Sequence, residues 1–399
     1  MVFAVCTYNN PMHNSKLLKP AVLSLSFLSV LSGAAVSPAL GQIRLAFPGA
    51  SDLAIQMILT LPPLLVIPVS LFSGRLAMVF RKRQLLFVGL VIYILGGLGG
   101  GFANSLTMLL VTRALLGIGN GVVAPLSLSL IADFYKGNER ANTMGLSSAM
   151  ATLSGVIMPL ISGWLAVFNW RYAFACYLVS LPVCFLIWRY LPEPPKTEKI
   201  EGESSRLPGV VWLLGFLTFL LMVVFYLLPT RAALFLQETG IGNAGQSGLV
   251  IAALNVSAFL VGLQFGKIRS RLKNFTHFLG LVALGTGLAV QFFAASLGVV
   301  MLGMFIAGMG IGSLMPTIFT ETANRVPASL NSPALSVINS SLYLGQFACP
   351  LVFAGIAAIF QIEDVRFKFL SAAVMAFAAA AVFLAGAIKS TNQDKKNPN

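Results

Sequence analysis

Twelve long apolar runs dominate this sequence and leave the chain little choice of solvent. They lie near residues 18–43, 52–74, 84–103, 105–132, 141–167, 171–191, 209–236, 244–266, 275–296, 298–322, 331–360 and 367–388. Each approaches or exceeds the roughly 20 residues that a helix needs to cross a hydrocarbon core. The runs are continuous rather than alternating, so their backbone N–H and C=O groups must be satisfied inside helices and not in a barrel. Only 10% of residues are charged and 57% are hydrophobic, whereas a soluble domain is roughly a quarter charged. The expected fold class is therefore all-α integral membrane, with twelve transmembrane helices and the lipid bilayer as first partner.

The formal net charge is +14. Its distribution points to membrane orientation and away from nucleic acid, because the basic residues sit between apolar runs and leave no free basic face. With the N-terminus inside, twenty lysines and arginines fall on the inner side, and five (Arg44, Arg171, Arg231, Arg366 and Lys368) fall outside. Both termini are expected in the cytoplasm of a multi-pass protein of the cell membrane. The four cysteines show no metal-ligand spacing and the two histidines are isolated, so neither a metal site nor a disulfide framework is expected.

The most informative internal signal is a repeat. Gly117, Gly119, Gly121 and Pro125 recur 191 residues later as Gly308, Gly310, Gly312 and Pro316. Pro38 recurs as Pro229 and Pro159 as Pro350 at the same offset, and the basic stretch after Gly74 recurs after Gly266 at an offset of 192. This predicts two pseudo-symmetric six-helix bundles. The boundaries expected are a cytoplasmic tail 1–17, a bundle 18–191, a Pro- and charge-rich linker 192–208, a bundle 209–388 and a tail 389–399. A transporter built from such repeats places its site at their interface near the bilayer midplane.

Four local patterns, together with this organisation, resemble the major facilitator superfamily, and within it the twelve-span drug/proton antiporters. The second loop carries Gly74 and the basic cluster Arg81, Lys82 and Arg83, with Met78 where the family has an acid. The fourth run carries Arg113 ahead of Gly117, Gly119 and Gly121; an arginine within a span needs a partner or a wet cavity. The resemblance implies a link between Arg113 and proton coupling. The fifth run carries Gly145, Gly155, Pro159 and Gly163, similar to the glycine–proline signature of the family's antiporters, which implies export. Asn169-Trp170-Arg171-Tyr172 resembles a Trp-Arg pair of drug exporters, and also reads as an interfacial anchor with a capping arginine.

The spans offer few charges. Asp133 and Glu321 fall near the inner ends of the fourth and tenth runs, where they could form a cytoplasmic gate or simple helix-end salt bridges. Cavity candidates are Arg113, Asn120, Tyr226, Asn255, Asn339, Tyr343 and Gln56. Arg113 and Asn120, seven residues apart, share one helix face. A largely apolar cavity with a few amides and phenols suits small amphipathic or lipophilic compounds. No nucleotide loop, zinc motif or catalytic triad is present in the sequence, so no enzyme activity and no cofactor are expected, and an ion gradient must supply the energy. The expectation is a monomeric secondary transporter, exporting drugs or amphipathic compounds by alternating access with protons as coupling ion. The alternatives are a proton-coupled symporter importing a nutrient and a non-transporting membrane receptor or scaffold.

Overall fold

The computed structural model describes residues 17–194, 207–272, 275–327, 330–362 and 364–396. The expected tail up to residue 16 and the linker core 195–206 lie outside the described residues.

Among the described residues, twelve helices are long and apolar enough to span a membrane: α1 (Leu18–Ala46), α2 (Asp52–Ala77), α3 (Lys82–Phe102), α4 (Leu106–Phe134), α5 (Gly137–Phe168), α6 (Trp170–Tyr190), α7 (Gly209–Glu238), α8 (Ala244–Leu263), α9 (Thr276–Phe293), α10 (Leu297–Asn324), α11 (Pro333–Phe360) and α12 (Val365–Ala387). Past α12 the helix continues unbroken to Lys396, through most of the segment expected to be a separate tail. Side chains at the helix starts supply acceptors that the first turn lacks. Ser51 accepts from Ala54 N–H, Ser105 from Met108 N–H, and Asn243 forms a reciprocal capping box with Gln246.

Each half builds its own apolar core, one centred on α1, α3, α4 and α6 and the other on α7, α9, α10 and α12. The repeated glycines show that the halves share a packing plan. In α4, a Cβ on Gly117 would strike Pro62 of α2, and one on Gly119 would strike Tyr93 of α3. In α10, Gly308 and Gly312 lie against Leu254 and Ala258 of α8, and Gly310 lies against Leu284 of α9. Small residues permit this close approach of backbones in lipid, where no hydrophobic effect drives helices together. The helix ends repeat too. Arg171 donates to the Ala103 carbonyl at the end of α3, and Arg366 donates to the Ala294 carbonyl just past α9. These are cations placed on orphaned carbonyls at helix C-termini.

The repeated prolines do more than recur. α1 is interrupted by a short 3-10 turn at Ser37–Ala39, and α7 breaks at Tyr226, three residues before Pro229. A proline withholds an N–H and crowds the preceding turn. The two breaks meet, for Ser37 donates its hydroxyl proton to the Pro229 carbonyl across the boundary between the halves.

Candidate functional site

A cavity of about 330 Å³ lies between the halves at the level of these breaks. Its apolar wall includes Leu59, Pro62 and Val66 of α2, Ile251 and Leu254 of α8, and Leu342 of α11. Its polar lining comes from Ser29, Ser32, Ser37, Asn120, Tyr226, Asn255, Tyr343 and Gln346. Among the described residues, no charged side chain lines it.

Four residues expected from the sequence meet here: Asn120, Tyr226, Asn255 and Tyr343. The Asn120 amide donates to the Ser29 carbonyl (3.4 Å) and the Ser32 hydroxyl (3.3 Å). Its Oδ1 is buried without a hydrogen-bond partner. The Asn255 amide donates back to Ile251 O of its own helix (2.9 Å), which leaves its carbonyl oxygen facing Gly155 of α5. The α1 serines and Gln346 were not anticipated individually. Short hydroxyls on an apolar helix carry no periodic signal that separates a lining residue from one bonded to its own helix.

Arg113, Gln56 and Asn339 do not line the cavity. Arg113 is fully buried between α3 and α6. It donates to the carbonyls of Gly96 and Gly97 and to the Tyr177 hydroxyl, and it lies over the rings of Phe174 and Tyr177 at 4.8 and 5.2 Å. Gly96 and Gly97 belong to the last turn of the α-helical part of α3, where carbonyls run short of intrahelical donors. Arg113 therefore satisfies a helix end. Its link to the cavity is indirect, because Tyr177 donates onward to the carbonyl of cavity-lining Ser32 (2.8 Å). Gln56 is buried and donates to Asp52 O, one turn back in α2. Asn339 is exposed and donates to Leu335 O, one turn back in α11.

The cavity is closed at one end and approachable at the other. At the closed end Arg231 of α7 pairs with Asp52 of α2 (3.0 Å), and Arg44 pairs with the same carboxylate (3.3 Å). Gln42 and Gln237 meet there as well, at 3.4 Å. The α5–α8 crossing seals the flank: Gly163 lies against Ala244 and Gly248, and the Pro159 carbonyl faces Gly248. Towards the basic loops the same two helices diverge. A side cavity of about 530 Å³ opens between Gly145, Ser148 and Thr152 of α5, Leu263 of α8 and Met315 of α10. It shares Val30, Gly155, Phe225 and Asn255 with the central cavity.

The residues expected to form conformational motifs and the two inner-end acids divide by half. Lys82 pairs with Asp133 (2.7 Å) and donates to Ser129, tying the start of α3 to the end of α4. Arg83 donates to the Trp188 carbonyl of α6. Arg81 occupies the position before α3 without a side-chain capping bond, and Gly74 has open space where a side chain would begin. Glu321 lies among Arg269, His277 and Arg325. Each of these ion pairs stays within one half.

Known proteins share this architecture. The model of the Major Facilitator Superfamily matches residues 22–350. The bacillibactin exporter of Bacillus subtilis is 25% identical over 84% of this chain and 89% of its own length. The multidrug transporter protein MdtP of the same species is 30% identical over 51% of this chain, and the match spans only 38% of that protein. Multidrug resistance protein D of Escherichia coli is 32% identical over 39% of this chain and 40% of its own length. Among solved structures, a bacterial homologue of the human lysosomal transporter Spinster, inward-facing and occupied, superposes with a TM-score of 0.73 at 18% identity, covering 96% of this chain and 98% of that one. A variant of the nucleoside transporter NupG gives 0.77 at 12% identity, covering 92% and 99%. These relatives are transporters and not enzymes, and the solved structures share the fold described above. The chain belongs to the Major Facilitator Superfamily.

Proposed function

We propose that this multi-pass membrane transporter exports small, uncharged or weakly charged amphipathic compounds by alternating access, driven by protons. The observation that carries the reading is the charge-free central cavity, with its aliphatic walls and its ring of amides, phenols and serines. Apolar area supplies affinity there, and a few fixed polar groups supply orientation. A sugar would need more hydrogen-bonding partners, and an anion would need cations. The exporters and multidrug transporters among the relatives support the outward direction.

The proton would act away from the substrate, since the cavity offers no carboxylate. Among the described residues, Asp52 is the acid paired with both halves, through Arg231 of α7 on one side and Arg44 of α1 on the other. Neutralising it would weaken the contact that holds this end shut, and Lys368 and Glu238 complete the charged surroundings. The excess of basic residues in the loops supports a cytoplasmic position for both termini and for the open end. One chain supplies the whole cavity, which fits a working monomer.

The test is a resistance and accumulation screen in a strain stripped of its own exporters, with neutral amphiphiles and permanently cationic dyes matched for size. The reading expects lowered accumulation of the neutral set and little effect on the cationic set. Unchanged accumulation of every compound would refute it.

A further inference from the structure

A second cavity, of about 300 Å³, lies inside the C-terminal half between α7, α9, α10 and α12. It shares no lining residue with the central cavity. Its walls are aliphatic, with Leu213 and Leu220 of α7, Leu281 of α9, Ile318 of α10 and Ala379 of α12. Its end nearest the basic loops is charged, formed by His277, Glu321 and Arg325.

The internal repeat shows that this cleft departs from the shared plan. At the offset of 191, cleft-lining Leu213 and its neighbour Phe216, which lies outside the cleft, correspond to Val22 and Leu25 of α1. Val22 and Leu25 are fully buried, whereas Leu213 is 56% and Phe216 57% exposed. The N-terminal half packs this face of its first helix; the C-terminal half leaves the face of α7 open to the outside of the bundle. An apolar cleft opening beside the bilayer is filled by hydrocarbon, since an empty one forfeits dispersion contacts.

The charged end says which hydrocarbon. Glu321 is approached by Arg269 at 3.7 Å, His277 at 3.6 Å and Arg325 at 3.9 Å. These separations exceed hydrogen-bond length, so the carboxylate is surrounded without being locked to any of them. Two arginines against one acid leave a net positive charge, and each guanidinium carries five N–H donors. Lys267 and Arg271 add charge from the short helix Phe265–Leu272, which buries none of its residues. Basic pockets between helices beside an apolar cleft suit a phosphate head group with its acyl chain alongside.

We infer that this cleft binds an anionic phospholipid of the leaflet facing the basic loops, its phosphate held by Arg269 and Arg325 and one acyl chain lying along α7, α10 and α12.

The full-length protein in detergent would be exposed to equal amounts of phosphatidylglycerol and phosphatidylcholine of the same chain length, and retained lipid read by native mass spectrometry. The inference expects at least fivefold preference for phosphatidylglycerol. Joint Arg269→Gln and Arg325→Gln substitution should bring that ratio to about one. Ala379→Trp, which fills the cleft, should cut retention of phosphatidylglycerol at least fivefold. Soluble glycerol phosphate at equal concentration should displace nothing. Should either variant fail to fold, a phosphatidylglycerol with a photoreactive acyl chain must crosslink the unaltered protein on α7, α10 or α12. Equal retention of the two lipids, an unchanged ratio in the charge variant, displacement by glycerol phosphate, or crosslinks confined to other helices would each overturn the inference. So would unchanged retention in Ala379→Trp.

Discussion

Asp52 and Arg231 stand 3.0 Å apart across the boundary between the two halves, with Arg231 almost fully buried and Asp52 partly exposed. The other inter-half hydrogen bonds nearby, Ser37 to Pro229 and Gln42 to Gln237, join uncharged groups at the same end. This pair is therefore the electrostatic part of the closed end, and a state open at this end must break it.

Asp52→Asn should shift the protein towards opening at this end. Removing one partner leaves Arg231 buried and unpaired, but solvent at Asp52 weakens the pair, so about 1–2 kcal/mol is at stake. That is roughly a tenfold change in the ratio of states. A Gln42→Cys reporter should label from the closed side about tenfold faster in the Asp52→Asn background. An unchanged rate would remove Asp52 from the closure.

The α5–α8 crossing should tolerate no added side chain. A Cβ on Gly163 would sit 2.7 Å from the Ala244 carbonyl, whereas one on Gly145 meets nothing within 4 Å. Gly163→Ala should force the helices apart at a cost of about 1–3 kcal/mol and lower transport at equal expression. Gly145→Ala should transport normally. Equal activity of the two variants would show that the crossing does not need close contact.

Arg113 should behave as a helix-end support. Arg113→Ala leaves the Gly96 and Gly97 carbonyls without their donor, worth about 2–4 kcal/mol and visible as a lower Tm. Arg113→Lys should not restore it, because a point charge cannot span two carbonyls and a phenol as a planar fork does. Tyr177→Phe should lose about 1 kcal/mol and slightly disturb Ser32 at the cavity wall. A Tm unchanged in Arg113→Ala would contradict this placement.

The Oδ1 of cavity-lining Asn120 is buried beside the cavity and has no hydrogen-bond partner, so a compound reaching it would complete its bonding. Asn120→Leu should weaken binding of substrates that donate a hydrogen bond by about five- to tenfold, in line with one bond of roughly 1 kcal/mol. Affinity for compounds without a donor should hold or rise. Competition binding with a matched alcohol and methyl ether would separate the two outcomes.

The fold was legible because its two signals are coarse. Apolar run length reports the bilayer, and the offset linking Pro38 to Pro229 reports duplication. The site was legible only in part. Asn120 and Arg113 share a helix face by spacing, yet Asn120 lines the cavity and Arg113 does not. Helical periodicity gives direction but not what stands opposite at each depth. At the level of Arg113, α3 ends and α6 begins, and the arginine is spent on them. Asp133 and Glu321 looked alike as inner-end acids, but no periodicity could show that each finds its cations within its own half. The α7 break at Tyr226 was foreshadowed by Pro229; its contact with the α1 break was not, since it depends on how the halves dock.

Proton-driven export through the charge-free cavity requires substrate flux coupled to a proton gradient. The direct measurement is uptake of a labelled neutral amphiphile from the accumulation screen into everted membrane vesicles carrying the protein, with an acid-inside gradient imposed. Uptake should depend on the gradient, collapse with a protonophore, fall in Asn120→Leu when the compound donates a hydrogen bond, and be absent from vesicles lacking the protein. Uptake that ignores the gradient, or a gradient that drives the compound out of these vesicles, would contradict proton-driven export.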